Sequence, residues 1–287
     1  MPELPEVEVV KQSLQKYILN KKLIKIIVKN KKLRFPIPKN LSRELSNQEI
    51  TKVKRVSKYL IIEFKDQIFL IIHLGMTGTL HLVKKSNNFK NTNLSFYHSK
   101  KLPKKHNHVF FFFNNFKIIF NDPRRFGFIK LFKNKKNLKN YFSKLGPDPF
   151  DKSFNSKYIK YYFNNKKKNI KNILLDQRFL SGVGNIYSSE ILNYSKINPL
   201  KPSGKISKDE IDKIIFFTLK VLKRSIKKGG TTISDFYSVK GHKGSYQKEF
   251  RAYDRQNETC KNKQCLGTII KINISNRSTY MCNRCQK

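Results

Sequence analysis

The sequence predicts an α+β multidomain protein: an N-terminal helix plus a β-sandwich, then a helical domain, then a small cysteine-bearing ribbon. Three observations predict it. Apolar residues recur at helical spacing near the start of the chain and again beyond about 137. Between about 23 and 132 they fall instead into β-branched and aromatic runs of four to eight residues. All four cysteines lie between 260 and 285.

The elements follow in order. The chain opens MPELPEVEVV. Pro2 and Pro5 suit a first helical turn, and Glu3, Glu6 and Glu8 complement the positive end of a helix. Val7, Val10, Leu14 and Ile18 supply its buried stripe. The runs LIKIIVKN, YLIIEF, IFLIIHLG, HVFFFF, KIIF and GFIKLF then read as strands, dense enough for a sandwich or barrel. Within them, 84–105 (KKSNNFKNTNLSFYHSKKLPKK) is polar and irregular and reads as a long, mobile surface loop. Helical spacing returns from about 137 to 228. Its clearest helix starts at a capping box of Ser207 and Glu210, buries Ile211, Ile214, Ile215, Leu219, Leu222 and Ile226, and stops at Gly229 and Gly230. Expected domains are 1–132, 136–230 and 231–287.

The 287 residues carry 61 Lys and Arg against 19 Asp and Glu, a net charge of +42. Such a balance favours a polyanionic partner, either nucleic acid or an anionic membrane surface. Lys and Asn recur along the whole chain, so compositional drift inflates the figure. Hydrophobic residues are 38%, including 23 Phe and 13 Tyr, which suffices for a packed core. The longest apolar runs are strand-length, far short of a membrane span. The acidic N-terminus has no apolar segment behind it, so neither targeting segment nor membrane partner is expected. A disulfide framework would spread its cysteines; their clustering points to a cytosolic chain with a local metal site.

That site is Cys260-x4-Cys265, sixteen residues, then Cys282-x2-Cys285. Two close pairs separated by a hairpin-length segment suit a tetrahedral thiolate Zn2+ site. The intervening GTIIKINISNRSTYM reads as two strands and a turn, hence a zinc ribbon. One structural zinc would supply much of the folding energy of so small a module. Four thiolates leave no open position, so the metal is not expected to be catalytic.

The first residues have chemistry of their own. An α-amine titrates at about 7.7–8.0, well below lysine. If Met1 is removed, Pro2 becomes a terminal secondary amine. Attack on a sugar C1′ would give an iminium, an electron sink that acidifies the neighbouring carbon enough to expel a phosphate. Glu3 could protonate a ring or leaving-group oxygen. On residues alone, a helix-start proline with dipole-compensating acids is the favoured reading.

Further motifs lie in one order: PELPEVE, SKYL at 57–60, HLGMTG at 73–78, DPRRFG at 122–127, LGPDP at 145–149, GVGNIYSSE at 182–190, GGTT at 229–232 and the four-cysteine finger. Together the chain resembles the bacterial formamidopyrimidine-DNA glycosylase family along its whole length. The resemblance implies a bifunctional DNA glycosylase/AP lyase that excises 8-oxoguanine and formamidopyrimidines in base excision repair by β,δ-elimination. It implies a helix–two-turns–helix middle domain, damaged double-stranded DNA as partner, a monomer, and cytoplasmic work at the bacterial nucleoid. By the same resemblance Pro2 is the Schiff-base nucleophile, Glu3 the proton donor, Lys58 the β-elimination lysine and Arg277 the δ-elimination and phosphate-contacting arginine. Met76, Arg124 and Phe126 fill the void left by the flipped nucleotide, at a flipping cost of a few kcal/mol. Asn185 in GVGNIY grips phosphate, as do helix N-terminal amides generally. Lys167 or Lys168 and His106 contact DNA, with His108 a competing match. His73 and Glu6 support the surround, and 233–250 covers the flipped base. Two features depart from the pattern: the x4 spacing of the first cysteine pair and the length of 84–105. The related endonuclease VIII type and a non-catalytic lesion-sensing zinc protein are the alternatives.

Overall fold

The computed structural model describes residues 1–84, 104–231 and 244–287. It divides into two compact units, Met1–Ser143 with Ile226–Gln247, and Lys144–Ser225 with Lys248–Lys287.

The first unit holds helix α1 (Leu4–Ile18), strands β1 (Lys22–Leu23) and β2 (Lys25–Val28), the short helix α2 (Leu41–Leu45), β3 (Gln48–Val56), β4 (Tyr59–Phe64), β5 (Phe69–His73), β6 (Thr79–Lys84), β7 (Asn107–Phe112), β8 (Phe116–Asn121), β9 (Phe128–Phe132) and α3 (Lys135–Phe142). The strands form two antiparallel sheets, β1-β3-β4-β5-β9 and β2-β7-β8-β6. Their facing sides and the α1 stripe of Val7, Val10, Leu14 and Ile18 make one core. Each fully buried aliphatic side chain there contributes about 1.5–3 kcal/mol. β4 and β5 lack a polar alternation because their second face is covered too. Ile61, Phe69 and Ile71 on that face pack against Leu138, Tyr141 and Phe142 of α3.

β3 and β6 escape the sequence reading. β3 (QEITKVKRV) is rich in charge, and only Ile50 and Val53 are buried in it, with a register shift between Ile50 and Lys52. Cross-strand packing overrides its low β-propensity. β6 runs to Lys84, into the segment expected as a surface loop. Of that loop, 85–103 lies outside the described residues.

The second unit holds α4 (Ser156–Phe163), α5 (Ile170–Leu175), α6 (Asn185–Ser195), most of α7 (Lys208–Lys227), and the hairpin β10 (Ile269–Ile274) and β11 (Arg277–Cys282). The predicted capping box of α7 is present: Ser207 N donates to Glu210 Oε2 at 2.8 Å and Glu210 N to Ser207 Oγ at 3.2 Å. Its buried stripe is rotated from the expected one, to Ile211, Ile214, Thr218, Val221, Leu222 and Ser225. Ser225 is inside because its hydroxyl meets the Tyr187 hydroxyl at 2.6 Å. Gly229 and Gly230, both at φ 78°, end the helix as expected.

The cysteine segment groups with the helices rather than standing apart. The buried Glu190 carboxylate on α6 accepts the backbone N–H of Arg251 (2.9 Å), Ala252 (2.9 Å) and Tyr253 (2.8 Å). Asn193 Nδ2 donates to Gln286 Oε1 at 2.8 Å.

Candidate active site

Pro2 precedes the first helix instead of lying in its first turn, as the sequence suggested. Glu3 takes the N-cap because it closes a capping box with Glu6, whose Oε2 accepts Glu3 N at 2.9 Å. Pro5 occupies the first turn. Pro2 is therefore held at a fixed point before the helix without its nitrogen entering the helical ladder. Pro2, Glu3 and Glu6 are all buried. The second oxygen of Glu6, Oε1, accepts Thr231 N (2.9 Å) and Thr231 Oγ1 (3.1 Å), tying the chain start to GGTT. Gly230 suits that approach, since a Cβ there would lie 3.1 Å from Glu6 Oε1.

Burial holds the Met1 amine below its ordinary pKa; Glu3 and Glu6 oppose this, and the Lys58 and Arg124 charges reinforce it. Lys58 and Arg124 are thus within electrostatic reach of the amine end. Lys58 itself is 7% exposed. It sits in the two-residue Ser57–Lys58 turn between β3 and β4, with Ser57 at φ 54°. Arg55 fixes that turn to α1: its Nη1 donates to Ser57 O at 3.0 Å and its Nε to Glu8 Oε2 at 2.9 Å. Burial pushes Glu8 up, but its hydrogen bond to Arg55 and the Lys11 charge prevail and hold it below the usual carboxylate value.

His73, at the end of β5, stacks on Phe128 with ring centroids 5.0 Å apart. Its Nδ1 accepts Gly75 N at 3.0 Å, which leaves the proton on Nε2. Burial, with the Lys58 and Arg34 charges, lowers its pKa to about 4, so it is neutral at physiological pH.

The three candidate void-fillers stand on two adjacent turns. Met76 is 42% and Phe126 41% exposed, unusual for large apolar groups, and Arg124 is exposed beside them. The Arg124 guanidinium lies 4.7 Å from the Phe126 ring centroid, a cation–π pair. Between the two candidate histidines, geometry discriminates. His108 is fully buried and committed: Nε2 donates to Asp122 O at 2.7 Å and Nδ1 accepts from Asn30 Nδ2 at 2.9 Å. His106 is half-buried just before β7.

In the second unit GVGNIY opens α6, with Gly184 as N-cap and Gly182 at φ 91°. Gln177 moulds this turn, donating to Leu175 O (3.1 Å) and Val183 O (2.8 Å) and accepting Gly182 N (2.8 Å). Asn185 is more constrained than the sequence suggested. Its Nδ2 donates to Ser278 O at 2.8 Å, so the side chain braces β11 next to Arg277. Sequence reasoning missed Lys171, a fully buried lysine whose Nζ donates to Asn185 O at 3.1 Å and Ser189 Oγ at 2.5 Å. Its apolar neighbours Ile170, Ile173 and Leu174 were the available signal. Lys167 and Lys168 are exposed, and Lys168 Nζ lies 4.0 Å from Asp176 Oδ2. Arg277 is exposed at the head of β11, behind a tight turn with Ser275 and Asn276 at φ 49° and 60°. Of the expected covering segment 233–250, residues 233–243 lie outside the described residues.

The four cysteine sulfurs lie within 4.8 Å of one another. Cys260–Cys285 and Cys265–Cys282 are 3.7 Å and 3.6 Å apart, too far for disulfides. Tetrahedral ligands at about 2.3 Å from zinc would be about 3.8 Å apart. Backbone N–H groups of Asn262, Gly267, Arg284 and Cys285 point at the sulfurs from 3.4–3.5 Å, which suits thiolates. The x4 loop still closes because Gln264 adopts φ 60°. A Cβ on Gly267 would fall 2.6 Å from Cys282 Sγ, so the cradle depends on glycine there. The residues fit a metal ion.

Among the described residues no helix is long and apolar enough to cross a membrane. The family model described as the formamidopyrimidine-DNA glycosylase N-terminal domain matches residues 1–129, and that of the H2TH domain matches 145–237. Formamidopyrimidine-DNA glycosylase of Rickettsia bellii (strain OSU 85-389) is 40% identical over 288 residues, covering 100% of both chains. A Lactococcus lactis FPG mutant complexed with Fapy-dG containing DNA superposes with TM-score 0.86 at 31% identity, covering 100% of both chains. MutM complexed with carbocyclic 8-oxo-G containing DNA gives the same TM-score of 0.86, identity of 31% and full coverage. With the motifs, the fold and the cysteine cluster all in their places, this chain belongs to the formamidopyrimidine-DNA glycosylase family.

Proposed function

We propose that the chain excises oxidised purines, 8-oxoguanine and formamidopyrimidines, from duplex DNA and then cleaves the abasic strand. The observation that carries this reading is the placement of Pro2: buried, outside the helical ladder, next to the N-cap carboxylate of Glu3, with the charges of Lys58 and Arg124 in reach. With Met1 removed, the Pro2 nitrogen attacks C1′ of the damaged nucleotide. The C1′–base bond breaks and the C1′–O4′ bond opens, with Glu3 giving a proton to the ring or leaving-group oxygen. The resulting iminium acidifies C2′; loss of that proton expels the 3′ phosphate, with Lys58 assisting, and a second elimination expels the 5′ phosphate, with Arg277 assisting. Met76, Arg124 and Phe126 occupy the vacated space: a flexible plug, a forked donor for the orphaned cytosine, and an aromatic wedge. Lys167 or Lys168, His106 and the amides at the start of α6 neutralise phosphates. In this reading 1–132 does the chemistry, 136–230 grips the backbone, and 231–287 covers the lesion and carries the finger. The protein acts as a monomer in the cytoplasm, on nucleoid DNA.

Comparing excision from 8-oxoguanine:C and thymine-glycol duplexes tests the substrate. Faster release of 8-oxoguanine is expected; faster release of thymine glycol would assign the chain to the endonuclease VIII type.

Zinc is the ion the four sulfurs would hold, and bound there it would weld the β10–β11 hairpin into a folded unit. Elemental analysis should find one zinc per chain. Cys282→Ser should lower that ratio and lower the melting temperature; a metal-free, equally stable wild type would contradict the assignment. DNA affinity should fall steeply with salt, with log K against log [salt] sloping by roughly −0.9 per phosphate neutralised. A flat response would mean that the +42 charge is mostly compositional.

A further inference from the structure

The turns that carry the void-filling residues, 74–78 and 122–127, are bound together by two buried groups that the chemistry above does not use. Asp122 is fully buried. Its Oδ2 accepts Gly127 N at 2.7 Å, and its Oδ1 accepts a short hydrogen bond from the Thr77 hydroxyl. The same Thr77 oxygen accepts Arg124 N at 3.2 Å. One hydroxyl thus links the residue after Met76 to the backbone of Arg124, and one carboxylate links it to the residue after Phe126. The Asp122 backbone is itself pinned to β7: its N donates to His106 O at 3.0 Å and its O accepts His108 Nε2 at 2.7 Å.

The turns also touch backbone to backbone. A Cβ on Gly75 would lie 2.4 Å from Gly127 N, and Gly75 has φ 65°. A Cβ on Gly127 would lie 2.8 Å from His73 O and 3.0 Å from Asp122 Oδ2. Neither turn can shift without breaking this contact or the buried hydrogen bonds, whose loss leaves a desolvated carboxylate.

We propose that Thr77 and Asp122 are positioning residues that make Met76, Arg124 and Phe126 one rigid wedge, so that filling the gap and reading the opposite base are a single coupled event. This rests on the proposed glycosylase reading for the roles of those three side chains. The consequence is specific: loosening the latch should cost opposite-base discrimination, which depends on where Arg124 points, before it costs chemistry at Pro2.

The test is the affinity of the full chain, by fluorescence anisotropy, for duplexes carrying a tetrahydrofuran abasic analogue opposite C or opposite A. Thr77→Val removes the shared hydroxyl at nearly constant volume. It should lower the C-over-A preference by about fivefold, the scale of one net hydrogen bond. Thr77→Ser should restore it, and Asp122→Asn should lower it in the same direction. Borohydride trapping on a single-stranded abasic oligonucleotide, which has no gap to fill, should be unchanged in Thr77→Val. A Thr77→Val protein that keeps the wild-type C-over-A preference overturns the coupling. So does one that loses single-stranded trapping in step with the preference, since that marks general misfolding. Binding needs no turnover: a wild type that forms no adduct but whose C-over-A preference responds to Thr77 would sink the lyase reading and leave the wedge standing.

Discussion

A chain that keeps Met1 should form no borohydride-trapped adduct with abasic duplex DNA. With Met1 in place, the Pro2 nitrogen is part of a peptide bond, and its lone pair is delocalised into the carbonyl. It can neither add to C1′ nor carry the iminium charge. The loss should be roughly 10³-fold or more, the scale on which removal of a covalent nucleophile acts. Trapping assays on preparations whose N-terminus is defined by mass spectrometry check this; full activity from protein with intact Met1 would refute it. The pH dependence has a definite sign. The attacking amine must be unprotonated, so adduct formation falls as pH drops through its pKa. Burial, reinforced by the Lys58 and Arg124 charges and opposed by Glu3 and Glu6, holds the Met1 amine below its ordinary value. The same surroundings acting on a freed Pro2 nitrogen should let activity persist to lower pH than an exposed terminal amine would allow.

Replacing Glu3 by Gln should separate the two activities. General-acid assistance is worth about 10²–10⁴, and it is needed when the base departs. Excision from 8-oxoguanine:C should therefore fall by that scale. A preformed abasic site has no base left to expel, so trapping on it should persist. Stability should change little, because the Gln carbonyl can still accept the N–H of Glu6 as an N-cap, a contact worth about 1 kcal/mol. Equal loss of excision and trapping would reduce Glu3 to its capping role.

Part of this site was legible in the sequence: Pro2, Glu3 and Lys58 lie in short motifs whose roles the family resemblance implies, and the cysteine spacing suits a tetrahedral metal site. What was not legible depends on partners distant in sequence. Arg55 looks like any surface arginine of a basic chain until it meets Glu8 of α1. Thr77 and Asp122 are 45 positions apart and become a latch only when β5, β8 and β9 are assembled. Asn185 read as a phosphate donor because a helix N-terminus invites one, and only the fold shows its amide also bracing Ser278. The first-turn assignment of Pro2 failed because a capping box at Glu3 and Glu6 competes for the same residues. β3 failed because its burial comes from pairing, not from its own composition.

The central claim is that the nitrogen of Pro2 forms the covalent link to DNA. Correctly processed protein should be incubated with abasic duplex and borohydride, digested, and the modified peptide mapped by mass. The account predicts a single adduct on the N-terminal peptide, at Pro2. An adduct on a lysine such as Lys58, or none at all, would contradict it.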